Sequence, residues 1–322
     1  MPTLVVRVFD PVRGVTKGGE ELLEGPGTKW LDVEAPDEAL LNRLGERYGL
    51  HRLAIEDCLH LDQRPKLEDY PGHQFLVTQG FCRVLDAEGR HDPANIELHE
   101  MHVFLGADWL ITVHDKAHPS VNKAIDRVTR DPNDTIGRGV DFVAYLIIDA
   151  MVDENFPLLD TFNDELEDLE TAIFEGPSRD HLKRTFALKR ALVQVRRVLS
   201  PQRDVVGLLS KRGMPNVSER TALYFRDVYD HLVRLYEQID ACRDLLGNAM
   251  DGYLSVQANR TGDVTKQLAI ISTIFLPLAF IVGFFGQNFE ELSTPPFFHA
   301  MLVSMAVIPV AMVWWFLHKK WL

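Results

Sequence analysis

A chain of 322 residues with 34 Lys and Arg against 47 Asp and Glu, a formal charge of -13, has the wrong sign for a nucleic-acid partner and suits a protein that collects cations. Its three cysteines, Cys58, Cys82 and Cys242, are odd in number and far apart, which excludes the paired spacing of a zinc site or a disulfide framework and leaves reduced, buried thiols. The average hydropathy is that of a soluble protein, so a membrane signal has to be sought in windows.

From residue 1 to about 140 the signals alternate. The opening residues 1–7 lack a basic region followed by a long apolar stretch, so no secretory signal is expected. Residues 4–9, 74–78, 97–105 and 109–113 read as strands, and 36–48 and 118–130 as helices, separated by Pro and Gly clusters. This predicts an α/β domain large enough to bury its own core.

Residues 141–212 turn wholly helical and are expected to form an antiparallel pair. The first helix, over 142–175, carries Asp160, Asp164, Glu165, Glu167, Asp168, Glu170 and Glu175 beside an apolar stripe, and Gly176-Pro177 ends it. That acidic run is either a solvated face or an attractor of cations. The second helix, over 179–211, is rich in Lys and Arg and stops before Gly213-Met214-Pro215.

Ser218 is a plausible N-cap with Glu219 in the first turn, and no proline follows until Pro277. A continuous helix over 216–285 would be about 100 Å long, far more than a membrane is thick, so its first half is expected to project into the cytosol as a stalk. Phe225, Val228, Leu232, Leu235, Ile239, Cys242, Leu246, Ala249, Tyr253 and Val256 keep alternating steps of three and four, an apolar seam that needs a partner helix. A second stripe keeps the same spacing with small or polar residues: Asp251, Ser255, Ala258, Gly262, Thr265, Ala269, Ser272, Leu276, Ala279, Gly283 and Gly286. It serves either close helix packing in lipid or a narrow water-filled axis.

Residues 268–285 and 297–318 are uncharged apolar runs of membrane-crossing length, joined by the short loop 286–296 and followed by the basic tail 319–322. Two spans so joined must form a hairpin. Lys319 and Lys320 place the C-terminus, and with it the N-terminal region, in the cytosol, leaving Glu290 and Glu291 outside. The expected place is the cytoplasmic (inner) membrane of the cell. Two spans cannot enclose a pore, so conduction requires a ring of identical subunits.

Other chemistry is weaker. His99-Glu100-Met101-His102 lacks the four-residue spacing of a zinc helix and sits in a predicted strand, where the two histidines face opposite ways. There is no glycine-rich phosphate loop and no nucleophile elbow. A membrane-anchored cytosolic enzyme or signalling module is the alternative class, but a tether needs neither the small-residue stripe nor a long stalk.

Gly286-Gln287-Asn288-Phe289-Glu290, after Ile274-Phe275-Leu276-Pro277-Leu278-Ala279-Phe280-Ile281, resembles the CorA-type divalent metal transporters, whose loop is Gly-Met-Asn. The resemblance extends to Ile55-Glu56-Asp57, Asp62-Gln63-Arg64-Pro65-Lys66, Tyr224-Phe225-Arg226-Asp227-Val228-Tyr229-Asp230-His231, residues 253–260 and the terminal Lys319-Lys320-Trp321-Leu322. It implies a homopentameric funnel: an N-terminal α/β domain, a helical pair, a long pore-lining helix that becomes the first span, and a second span outside it. It also implies channel-like uptake of hydrated Mg2+, often with Co2+ and Ni2+, that closes when cytosolic Mg2+ fills sites between subunits. Gln287 stands where the family motif has Met, and Ala279 where related sequences often have Thr. The ZntB-like Zn2+ transporters, with Gly-Ile-Asn, are the alternative branch, and the Arg-Asp-Val-Tyr-Asp-His match points to the Mg2+ branch.

On this resemblance the pore set is Thr265, Leu268, Leu276, Ala279, Gly286, Gln287 and Asn288. A ring of Asn288 carboxamide oxygens suits an ion held through its water shell, because it accepts hydrogen bonds without a charge that would trap the ion; in isolation Asn288 would read as a turn residue. Glu290 and Glu291 would concentrate cations at the mouth. Asp57 of one subunit against Asp227 of its neighbour, with Asp251 as a weaker site, would form the metal sensor, since a divalent ion relieves the repulsion between carboxylates. The plainer reading takes them as surface acids, Asp57 near a helix start.

Overall fold

The computed structural model describes residues 2–60, 62–85, 91–287, 294–319 and 321, with side chains outside 82–95. Residues Met1–Met250 form one compact unit and Asp251–Leu322 a second. The first is built on a seven-stranded sheet in the order β2-β1-β3-β7-β6-β5-β4. Its strands are β1 (Thr3–Asp10), β2 (Gly14–Gly18), β3 (Thr28–Glu34), β4 (Lys66–Tyr70), β5 (His73–Leu85), β6 (His91–Leu105) and β7 (Trp109–His114). Only β3 and β7 pair in parallel; the other neighbours are antiparallel.

Alternation divides the sheet into two faces. Leu31, Val33, Phe75, Val77, Phe104, Ile111 and Val113 lie on one, in a core shared with Leu40, Leu41 and Leu44 of α1 (Glu38–Tyr48) and Ala54, Ile55 and Cys58 of α2 (Arg52–Leu59). Asp37 caps α1 by accepting from the Leu40 amide, and Gly49 ends it at φ 69°, a left-handed position that suits glycine. The other face meets α4 (Val140–Asp153), which packs on α3 (Pro119–Arg130). There Gly80 lies against Met151, whose Cε would be 3.4 Å from a Cβ at that position.

The sequence reading missed β2, β3, β4 and α2. The first and last strands are short and polar at the sheet edges, and β3 interleaves Lys29, Asp32 and Glu34 with Trp30, Leu31 and Val33. The helix expected over 142–175 is two helices, α4 and α5 (Phe156–Glu175). The cause is local. Pro157 has no N–H and its ring would collide with the carbonyl of Asp153 in a continuous helix. The fully buried Asn155 turns inward, its Nδ2 donating to the carbonyls of Met151 and Val152 at 2.9 and 3.1 Å.

After α6 (Arg179–Leu209), helix α7 runs over Glu219–Phe285. Ser218 starts it as expected: its Oγ accepts from the Thr221 amide at 3.2 Å. Asp141 of α4 holds the cap in turn, accepting from Ser218 N at 2.9 Å and Ser218 Oγ at 2.7 Å. The apolar seam is buried from Phe225 to Ala249, then half-buried at Tyr253 and Val256. Its partners come from three helices. Tyr145 of α4 meets Phe225, Asn163 of α5 accepts from Cys242 Sγ at 3.1 Å, and Arg196 of α6 reaches Tyr236 Oη at 2.7 Å.

A buried polar chain ties β3 to β7. Trp30 Nε1 donates to Thr112 Oγ1, that hydroxyl donates to Asp32 at 2.7 Å, and His114 Nε2 lies 3.0 Å from the same carboxylate. Nδ1 of His114 faces the Lys116 carbonyl at 2.7 Å, so both ring nitrogens meet acceptors and the imidazolium fits best. Burial pulls the His114 pKa down, but the bond and charge of Asp32 outweigh it and the net shift is upward. The stabilisation is therefore complete below the unfolded-state value of about 6.5 and is lost as pH rises through the folded value. In thermal unfolding of the detergent-solubilised protein, the advantage of wild type over His114→Gln should be largest near pH ~6 and shrink towards pH ~9; an advantage that grows with pH contradicts this assignment.

Candidate ion pathway and metal-sensing acids

In the second unit the end of α7 and α8 (Pro295–His318) are both long and apolar enough to cross a membrane. Pro277 and Pro309 lie inside them, as spanning helices tolerate. The covered side of this part of α7 consists of Ile270, which is buried, and Ile274, Pro277, Leu278, Ile281 and Phe285, which are half-buried. At 100° per residue that line is roughly opposite the stripe of Thr265, Ala269, Ser272, Leu276, Ala279, Gly283 and Gly286, all of which are exposed. Leu268, exposed as well, borders the stripe. The small residues are therefore not what packs this helix within the chain.

Two details give the stripe polar character. Thr265 Oγ1 donates to the Thr261 carbonyl at 2.8 Å, which commits its proton to the helix and leaves lone pairs facing outward. At the end of α7, Gly286 N donates to Val282 O at 2.9 Å, and a Cβ on Gly286 would sit 2.9 Å from that same oxygen. Glycine is required there by contact. Gln287 follows, exposed, with its amide donating to Phe284 O at 3.3 Å. Asn288, Glu290, Glu291 and Lys320 lie outside the described residues.

In the first unit Asp57 and Asp227 sit in separate clusters within one chain. Asp57 falls in the last turn of α2, not near its start, and its Oδ2 is 2.6 Å from Lys66 Nζ. Lys66 also reaches Glu68 Oε1 at 2.9 Å, and the Tyr70 hydroxyl donates to Glu68 Oε2 at 2.6 Å. Burial and the Glu68 bond push the Tyr70 phenol up to about 12. Cys58, next to Asp57, is buried, and burial raises its thiol well above the ordinary value, so it is inert packing. Asp251 is exposed at the start of the second unit.

Asp227 stands beside a group the sequence reading did not assemble. Ligand atoms of Asp149 and Asp153 on α4 and His231 on α7 all lie within 4.8 Å of one another. His231 Nδ1 is 3.5 Å from Asp153 Oδ1, and Nε2 is 3.8 Å from Asp227 Oδ2. These separations exceed good hydrogen bonds, so the groups lie close together without bonding one another. Burial, and then the Asp153 charge, raise the Asp149 pKa; a divalent cation would relieve that repulsion. The sequence signal was present as two i,i+4 pairs: Asp149 with Asp153 on a mostly apolar helix, and Asp227 with His231.

His99 and His102 lie on opposite sides of β6. His99 meets His118, while His102 stacks on Phe75 and lies 3.0 Å from Glu100 Oε1. The other Glu100 oxygen accepts from the amides of Asp62 and Gln63. This pair is a buried latch for the loop after α2.

The profile of the family described as CorA-like Mg2+ transporter protein matches residues 26–320. The chain is 35% identical over 297 residues to the cobalt/magnesium transport protein CorA of Thermotoga maritima, an alignment covering 91% of this chain and 83% of that one. The solved structure of the CorA magnesium transporter from Methanocaldococcus jannaschii superposes with a TM-score of 0.84 at 23% identity, over 99% of this chain and 98% of that one. The zinc transport protein ZntB of Yersinia enterocolitica is 26% identical over 181 residues, 55% of this chain and 54% of its own. The chain belongs to the CorA-like Mg2+ transporter family.

If Asp149, Asp153 and His231 hold a metal, the imidazole should matter more for Co2+ than for Mg2+, which prefers an all-oxygen shell. For His231→Ala, the Co2+ concentration that half-protects the protein from proteolysis should rise by about tenfold and that for Mg2+ by less than about threefold. Equal shifts for the two ions would remove the imidazole from the coordination.

Proposed function

We propose that the protein is a channel-like transporter of hydrated divalent cations, Mg2+ foremost with Co2+ and Ni2+ accepted, and not an enzyme. The observation that carries this reading is the uncovered stripe on α7, opposite the side by which that helix is covered within its own chain. Two spans cannot surround water, so the reading requires copies of the chain around an axis, in a homopentamer in the cytoplasmic membrane with both termini cytosolic. Each copy would then turn Thr265, Leu276, Ala279 and Gly286 towards the same path, with Leu268 at its border and Gln287 and Asn288 at its mouth. The much shorter alignment with the zinc transporter supports the Mg2+ and Co2+ assignment over Zn2+.

Passage of a hydrated ion asks for acceptors and no fixed charge at the narrow part, a role suited to Asn288 oxygens, the outward lone pairs of Thr265 and weakly interacting small residues. Glu290 and Glu291 would raise the local cation concentration at the mouth, less so at high salt. For gating, Asp57 of one subunit would meet the Asp227 cluster of the next, and divalent ions would hold the subunits together. A ligand shifts two states only by its differential affinity for them. Loss of internal Mg2+ would leave repelling carboxylates and favour opening.

Asn288→Ala should abolish or strongly reduce Mg2+ flux into liposomes without changing the oligomer mass in detergent, while Gln287→Met should be much milder. Wild-type flux in Asn288→Ala, or a monomeric or dimeric mass, overturns the pore. Asp57→Ala and Asp227→Ala should each raise the internal Mg2+ that half-inhibits current; an unchanged midpoint in both singles and the double removes them from gating.

A further inference from the structure

Lys66 fills the place beside Asp57 that the sensing reading gives to a metal. On the edge strand β4, Lys66, Glu68 and Tyr70 alternate onto one face, and the last turn of α2 brings Asp57 over them. The Lys66 ammonium lies between Asp57 Oδ2 at 2.6 Å and Glu68 Oε1 at 2.9 Å, with the Phe75 ring centroid 5.7 Å away. The opening around it, 560 Å³ in volume, is lined by Glu56, Asp57, Glu68 and Asp69, and Lys66 is the one cation among its described lining residues.

We propose that Lys66 is a tethered competitor for the divalent ion at Asp57 and so sets the ion concentration at which the channel closes. The proposal rests on Asp57 being a sensing ligand. An ammonium on the same chain is present at high effective concentration and is never diluted away. A divalent ion approaching Asp57 must either evict it or bind beside a like charge. Either route weakens ion binding by roughly three- to tenfold, as expected for a partly exposed charge pair.

The choice of lysine follows. An ammonium on a flexible stem can withdraw into solvent when displaced, whereas a guanidinium grips a carboxylate with two parallel bonds and yields less readily. Residue 66 therefore tunes a threshold: a neutral side chain lowers it and arginine raises it. Glu68 has a complementary part. With its second oxygen held by Tyr70, it keeps the ammonium in reach of Asp57 and offers the arriving ion another carboxylate.

The test is protection of the full-length protein from a protease that does not cleave at lysine, titrated with Mg2+ alone, for wild type, Lys66→Gln, Lys66→Arg, Asp57→Ala and Asp57→Ala/Lys66→Gln. The expected midpoint falls about three- to tenfold in Lys66→Gln, rises in Lys66→Arg, and is the same in the double variant as in Asp57→Ala. Tighter metal response is not a result that a damaged fold produces, and should Lys66→Gln fail to assemble, Lys66→Met keeps the stem on Phe75 and is read the same way. An unchanged or raised midpoint in the neutral variant, or a further drop when it is added to Asp57→Ala, overturns the role of Lys66. If Asp57→Ala itself leaves the midpoint where it was, the sensing reading falls and this inference with it; if only the Lys66 variants are silent, the sensing reading stands alone.

Discussion

One helix has to satisfy two solvents, and the rest of the chain is arranged around that demand. Along α7 a seam of Phe, Val, Leu, Ile and Cys at three-four spacing between 225 and 246 is almost completely buried, while a separate stripe, mostly Ser, Ala, Gly and Thr from 255 to 286, is exposed. The first set repays burial against α4, α5 and α6 by the ordinary hydrophobic effect. In lipid that effect is absent between helices, and small residues serve close approach or a path for water instead. Two stripes of different residue size on one unbroken helix therefore mark two different surroundings.

The same demand explains the anchoring at residue 218. A 67-residue helix transmits a displacement at either end only if that end is fixed, and Ser218 is held from outside the helix by Asp141. The acids near its first turns are placed with equal economy. Asp227 and His231 are one turn apart on α7, Asp149 and Asp153 one turn apart on α4, and the rings of Phe142 and Tyr145 meet those of Tyr224 and Phe225 beside them. Aromatic packing, which carries no charge, thus joins the two helices next to their acids.

Much of this could be read from residues in order, and what could not has a common cause. The spans, the seam and the Ser218 cap are repeating or local signals, each legible from neighbours within one or two turns. The break at Asn155 was hidden because the apolar stripe continues on both sides of it, and the inward turn of a buried carboxamide has no period. Strands β3 and β4 were missed because their pairing with β7 and β5 makes sense of their mixed composition only after the sheet exists. The meeting of α4 with α7, and of Lys66 with Asp57, is tertiary. Sequence supplied each half of these clusters and not their partner.

Metal response in such an arrangement depends on how much repulsion the protein leaves uncancelled. Bare carboxylates would repel strongly and bind any divalent ion tightly, so the site would stay full; carboxylates fully paired with basic groups would not respond at all. Asp57 is partly neutralised by one ammonium in an acidic opening, whereas Asp149, Asp153 and Asp227 share a single imidazole. These are two intermediate degrees of cancellation in one chain, the ammonium at 2.6 and 2.9 Å from its carboxylates and the imidazole at 3.5 and 3.8 Å from more exposed ones. A group of this kind responds over a range of ion concentration set by its weakest internal pair. On the proposed sensing role, the internal cation, and not the ligands alone, would decide where in that range the equilibrium turns.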